Sequence, residues 1–198
     1  MSRKRYVQIG AAVVVIALGA WGASRILERM VSPVPVRTAA PAVAAATASV
    51  PHIIATLYYA TADGLALAAV KREVPLAEGA RAQGRQILQS QLEPAPPPYL
   101  SVIPPGTLLR AFYITDRGDA FVDLSPEVST AHPGGSTNEL LTVYAIVNAV
   151  TANISTVQRV QILVGGKEAD TLAGHVDLRR PFAREASSLV RDAQKTSQ

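Results

Sequence analysis

Residues 52–184 predict an α+β domain: mainly an antiparallel sheet of hairpins, with two helices packed on one face. Three observations lead to that class. Strand-like and helix-like segments follow one another as strand-strand-helix, strand-strand-helix, strand-strand. Turn signals sit between paired strands, as in Asp63-Gly64 and Gly165-Gly166. A capping-box pattern, Ser136-Thr137-Asn138-Glu139, opens the longest apolar helical run. Antiparallel hairpins whose apolar faces need cover are completed by helices laid across them.

An apolar stretch and a linker precede that domain. Val7 to Ala23 contain one polar side chain, Gln8, and are bracketed by Tyr6 and Trp21. As a helix, such a stretch is roughly 25 Å long, close to the hydrocarbon core of a bilayer. Arg3-Lys4-Arg5 lie directly before it, which favours a cytoplasmic N-terminus. The organisation expected is a cytoplasmic tail at 1–5 and a transmembrane signal anchor at 6–24. A Pro/Ala-rich linker at 25–51, the domain at 52–184 and a flexible tail at 185–198 follow. A cleavable signal peptide is the alternative for the apolar run, and both readings export the domain. The linker carries prolines 33, 35, 41 and 51 and no core-forming period. It reads as a semi-extended tether that reaches about 60 Å.

Within the domain, His52 to Ala60 (HIIATLYYA) is rich in β-branched and aromatic residues, and Leu65 to Lys71 returns after Asp63-Gly64. Glu78 to Leu92 reads as a helix with Ala80, Gly84, Ile87, Leu88 and Leu92 on one stripe, stopped by Pro94. Thr107 to Thr115 and Ala120 to Leu124 form a second hairpin around Asp116-Arg117-Gly118-Asp119. The helix opened at Ser136 runs to about Ala152. Leu140, Tyr144, Val147 and Thr151 lie on one face, and Leu141, Val143, Ile146 and Val150 widen it. That width predicts deep packing. In Val157 to Val164, Val160, Ile162 and Val164 alternate on one face, and Gly165-Gly166 turns the segment into Glu168 to Leu172.

Charge excludes one class of partner. The chain has a formal net charge of +4, but residues 1–51 hold six basic groups against one acidic, and the remainder holds 13 against 14. A nucleic-acid binder carries its basic surface on the folded domain. There is no cysteine, which removes disulfides, thiol nucleophiles, cysteine metal ligands and a lipidated-cysteine anchor.

Taken together, LYYATADGL (57–65), SVIPPGTLL (101–109), AFVDLSPE (120–127), GGSTNELLTVYAIVNAVT (134–151), VQRVQILVGGKE (157–168) and TLAGHVDLRRPF (171–182) resemble the GerMN domain family of sporulation and spore germination. The resemblance implies an α+β interaction module of secreted or membrane-anchored bacterial proteins, similar in fold to ring-building modules of envelope assemblies. It marks Asp63, Gly64, Pro104, Pro105, Gly106, Gly134, Gly135, Ser136, Glu139, Tyr144, Asn148, Gly174, His175 and Asp177 as family-motif positions of a structural kind. It supplies no catalytic residue. The chain departs from lipoprotein members by lacking a cysteine and from tandem members by having one copy.

Several chemistry-bearing residues offer other readings. Gly134, Gly135, Ser136 and Glu139 have the make-up of an anion-binding helix start, but Glu139 brings its own negative charge there, so ordinary capping is favoured. Ser136, His175 and Asp177 supply the residue types of a nucleophilic triad without the G-x-S-x-G elbow. His52, His132 and His175 lack metal-ligand spacing, and Asp116, Asp119 and Asp123 lack the calcium-loop pattern. Asn153-Ile154-Ser155 fits a three-residue glycosylation acceptor. Arg179, Arg180 and Arg184 read as a solvated basic face, with an acidic partner or wall polymer as the alternative. The function expected is a non-enzymatic, cofactor-free scaffolding module. It is anchored in the inner (cytoplasmic) membrane by one span at 6–24, with the domain on the extracytoplasmic side. Its expected partner is another envelope protein or a second copy. A peptidoglycan- or wall-polymer-binding domain and a cell-wall hydrolase are the rivals.

Overall fold

The computed structural model describes residues 51–185 and 189–191, all within one compact unit, Ser49–Gln198. The anchor expected at 6–24, the cytoplasmic tail, the linker up to residue 50 and the tail beyond 191 lie outside the described residues. Among the described residues, no helix is long and apolar enough to cross a membrane.

The first hairpin pairs β1 (His52–Ala60) with β2 (Leu67–Pro75), antiparallel over all nine residues of each strand. Asp63-Gly64 does turn the chain, but as part of a wider loop closed by the Thr61 N–H donating to the Ala66 carbonyl. The second strand therefore starts at Leu67 instead of Leu65. Helix α1 (Ala80–Leu92) follows, and then the hairpin of β3 (Leu109–Ile114) and β4 (Asp119–Leu124). A single turn, α2 (Glu127–Thr130), and the long helix α3 (Ser136–Asn153) lead into β5 (Arg159–Val164). Short strands β6 (Lys167–Glu168), β7 (Phe182–Ala183) and β8 (Val190–Arg191) complete the order.

The chain is a mixed α+β fold, and its strands make two sheets. One is ordered β1-β2-β8; the other is β3-β4-β5, with β6 and β7 sharing the far side of β5. Two junctions correct the all-hairpin expectation. β4 and β5 pair in parallel from Asp119↔Arg159 to Leu124↔Val164, because α3 carries the chain back along the sheet before β5 begins. β8 also joins β2 in parallel. The third hairpin shrinks to two residues per strand.

Both helices touch both sheets: α1 packs against β1, β2 and β3, and α3 against β1, β5 and β7, while the two helices pack on each other. This explains why α3 is apolar nearly all round, with every residue from Ala145 to Val150 buried. Leu140 and Tyr144 form its half-buried margin, not its centre. Tyr59, Leu57, Phe112, Leu124, Ile146 and Ile162 are among the largest fully buried side chains. Truncating any one aliphatic member to alanine costs about 2–5 kcal/mol. Gly84 lets α1 sit directly on the Phe112 ring, since a Cβ there would lie 2.3 Å from Phe112 Cε1.

Candidate functional site

The family-motif residues gather at the start of α3 and on the loop that crosses it. Gly134 (φ 79°) and Gly135 (φ 88°) occupy the left-handed region and deliver the chain into the helix. Gly135 caps it, with no side-chain cap, so the expected Ser136/Glu139 capping box does not form. Glu139 turns the other way. Its carboxylate is fully buried and accepts from the backbone N–H of His175 (3.1 and 3.2 Å), the backbone N–H of Val176 (2.9 Å) and His175 Nδ1 (3.0 Å). Burial alone would raise its pKa. The hydrogen bonds from Val176 and His175 outweigh that and hold it below the ordinary value. An acidic residue serves the first turn either as a cap or as an anchor for another segment, and here the anchor wins.

A second polar chain runs beside it. The Gly134 N–H donates to His132 Nδ1 (3.0 Å), so that nitrogen carries no proton, and Nε2–H donates to Thr142 Oγ1 (3.1 Å). Thr142 in turn donates to the Val102 carbonyl (2.6 Å). Desolvation lowers the His132 pKa, which agrees with this neutral tautomer. The chain ties the loop before α3 to the segment 101–106. There the Pro104 carbonyl accepts from Thr107, while Pro105 and Gly106 (φ 82°) form the exposed turn.

The remaining motif positions each hold a neighbour. The Tyr144 ring meets Phe182 of β7 edge to face, with centroids 5.8 Å apart. The Asn148 amide donates to the Glu185 carbonyl (2.7 Å) and accepts the Glu185 N–H (3.1 Å). Asp63 accepts from Thr61, from the Leu65 N–H and from Arg191 (3.0 Å), which fastens β8 to the first hairpin. Gly174 (φ 102°) bends the crossing loop, its N–H donating to Thr171. Asp177 chelates the Arg179 guanidinium at 2.8 and 2.9 Å, and that hydrogen bonding drives its pKa far below the carboxylate range. The three residue types of a triad are not brought into one constellation. The imidazole of His175 is oriented by Glu139, Asp177 is committed to Arg179, and no described hydrogen bond joins Ser136 to His175.

Two site residues escaped the sequence reading. Gln91 accepts the Tyr58 N–H (2.9 Å) and donates to the Tyr58 carbonyl (2.7 Å). Asn153 does the same for Thr56 (2.9 and 2.8 Å) and also donates to Ala149. Gln91 and Asn153 thus each imitate one residue of a strand beside β1, as Asn148 does for the extended chain at Glu185 beyond β7. The available signal was a polar amide within or ending an otherwise buried helix face. For Asn153 the glycosylation reading obscured it, and its amide is fully committed inside the protein. Between the first hairpin and α3 lies a cleft of about 130 Å³, bordered by Gly64, Leu100, Val102, Pro133, Asn138 and Leu141.

Residues 56–170, more than half of the chain, match the family profile described as "Germane: Sporulation and spore germination". The chain belongs to this GerMN family. Among solved structures, the tandem GerMN domains of the sporulation protein GerM from Bacillus subtilis align with a TM-score of 0.54 at 18% identity, covering 73% of this chain and 52% of that one. That likeness shows a shared fold, and this chain spans about half of the tandem protein's length. The first GerMN domain of the same protein gives a TM-score of 0.47 at 19% identity over 69% of this chain and 98% of its own. A lipoprotein candidate from Clostridium perfringens gives 0.49 at 25% identity, over 68% of this chain and 89% of its own. No curated protein matches the chain.

Proposed function

We propose that this GerMN domain is a non-catalytic binding module that holds or recruits another protein at the cell envelope. The carrying observation is the state of Glu139. The acidic group best placed for chemistry at the motif cluster is fully buried and spent on the backbone of the crossing loop. A general acid or base needs access to substrate, and a nucleophile needs a base within reach. Here Glu139, Asp177 and His132 hold loops in place, and the His175 imidazole is held on Glu139. The cleft beside Gly64 has room for a side chain, whereas ligand sites for small molecules occupy roughly 300–1,000 Å³.

The apolar run at 7–23 and the linker support an exported, membrane-tethered placement of the domain. A role in sporulation, germination or another envelope assembly follows from the family and is part of the same proposal. The test is in-cell crosslinking of the tagged full-length chain with mass spectrometry of the products, beside a peptidoglycan turnover assay of the purified protein. Defined crosslinks to an envelope protein or to a second copy are expected, with no turnover. Turnover that disappears on a single carboxylate substitution would overthrow the reading in favour of a hydrolase. Recovery of bound wall polymer in place of protein crosslinks would overthrow it in favour of a polymer binder.

A further inference from the structure

The first sheet has two edges, and they are finished differently. On the β1 edge, Thr56 and Tyr58 turn their backbone groups outward into the amides of Asn153 and Gln91, and Ala60 exchanges both backbone hydrogen bonds with Leu100. Thr56 and Tyr58 lie opposite Lys71 and Ala69. In an antiparallel ladder, residues opposite an outward-facing position also face outward. Ala69, Lys71 and Glu73 therefore direct their N–H and C=O groups away from β1, on the edge where the Leu67 N–H donates to Leu189 (2.7 Å). β8 pairs with Leu67 and Ala68 alone, and no other described strand pairs with β2 beyond Ala68. Among the described residues, the edge from Ala69 to Pro75 is an open ladder.

Its sequence is self-complementary. When two copies of this edge meet antiparallel about a two-fold axis through Arg72, Lys71 of each copy stands opposite Glu73 of the other. Both positions are exposed and outward-facing, so they form the hydrogen-bonded pairs of the new ladder. Val70 then stands opposite Val74. Shifting the axis to residue 71 would oppose lysine to lysine, and shifting it to residue 73 would oppose glutamate to glutamate. Only the register centred on Arg72 matches unlike charges at both positions. Arg72 itself meets Arg72 of the second copy, but its guanidinium is drawn across its own hairpin to Tyr59 Oη (2.8 Å) and Glu93 (3.3 Å). β8 of each copy lies beside Leu67 and Ala68, and so bounds the window at both ends.

We infer that β2 is a dimerisation edge, and that its occupant is the β2 strand of a second copy of this chain. The inference rests on the binding-module reading and names one partner for it. The interface is isologous and therefore closes at two subunits. A seven-residue edge is small, which places the dimer in the transient class.

The test exploits the absence of cysteine from the chain. Residues facing one another across a non-hydrogen-bonded antiparallel pair have Cα atoms about 4.5 Å apart, within disulfide reach. The full-length R72C variant, oxidised in membranes, is expected to yield a disulfide-linked dimer, while I54C, on the exposed face of the same hairpin, yields none. Independently of R72C, sedimentation of the full-length protein in detergent reads the charges. K71E and E73K each weaken dimerisation about tenfold, and the double swap K71E/E73K restores it. A monomer throughout, or single and double variants that behave alike, overturns the inference. So does a dimer that forms only after residues 192–198 are deleted, which would make the chain's own C-terminal segment the occupant. Failure here with defined crosslinks to a foreign envelope protein would leave the binding-module reading standing.

Discussion

Gly84→Ala sets two opposing effects against each other, and the structure decides the sign. Replacing a mid-helix glycine with alanine ordinarily stabilises by about 1 kcal/mol through backbone entropy and helix propensity. Here the new methyl would lie 2.3 Å from Phe112 Cε1, 2.8 Å from Cζ and 3.1 Å from Cδ1. Carbon atoms in contact prefer roughly 3.5–4.0 Å, so either the ring or the helix must give by more than about 1 Å. The ring has nowhere to go: Phe112 is fully buried on β3. Overpacking of this severity costs about 3 kcal/mol, the upper end of the usual range, and the net expectation is a loss of about 2 kcal/mol. For a domain of this size that lowers Tm by roughly 6–8 °C. Thermal and urea denaturation followed by circular dichroism reads it. Phe112→Leu in the same chain opens the space, and the double-mutant cycle should return a favourable coupling of about 1 kcal/mol or more. Unchanged or increased stability of Gly84→Ala, or zero coupling, would refute the close packing of α1 on β3.

Three further expectations concern the polar ties. Glu139→Gln keeps the shape but loses the charge that receives the His175 and Val176 N–H groups, and is expected to cost about 2–3 kcal/mol in urea unfolding; a cost under about 0.5 kcal/mol would show the crossing loop to be held elsewhere. Gln91→Leu strands the Tyr58 N–H and C=O and is expected to cost about 2–4 kcal/mol, with faster hydrogen exchange at the Tyr58 amide; unaltered Tyr58 exchange would contradict it. The pH profile of stability has two windows. His132, whose folded pKa is depressed by desolvation, contributes fully above its ordinary 6.5, and stability declines as the pH falls through 6.5 towards the lower folded value, because the unfolded chain binds the proton first. Glu139, also depressed, contributes above its ordinary 4.5, and its contribution is lost as the pH falls through its folded value. A Tm that is flat between pH 7.5 and 5.5, or a first decline that persists in His132→Asn, would argue against the neutral histidine chain.

Local periodicity carried much of the fold. The β-branched and aromatic content of HIIATLYYA and the apolar width of STNELLTVYAIVNAVTAN placed β1 and α3 almost to the residue. Pairing between distant segments was less legible. Nothing in AFVDL or RVQILV distinguishes a parallel neighbour from a hairpin strand, because β5 is buried at Val160, Gln161 and Ile162 alike and shows no simple alternation. Two-residue strands such as β7 and β8 leave no periodic trace; they exist because Tyr144, Asn148 and Asp63 hold the chain there. The motif cluster was legible as a set of residues, but the roles within it were not. S-x-x-E is compatible with a capping box and with a buried anchor, and only the position of the loop at 171–178 decides between them.

The side-chain amides on β1 also bear on polymerisation. A strand edge satisfied by another strand can exchange that strand for an intruder of any sequence, since one backbone resembles another. An edge satisfied by Gln91 and Asn153 cannot be invaded so readily, because both amides are carried on packed helices and would have to be withdrawn from the core. Sheet growth on that side is blocked at the outset, and each subunit offers this sheet a single valency. A sheet with one valency can pair but cannot propagate, so this sheet behaves as a chain terminator towards cross-β addition, guarded on its β1 edge by two side-chain amides instead of by a covering strand.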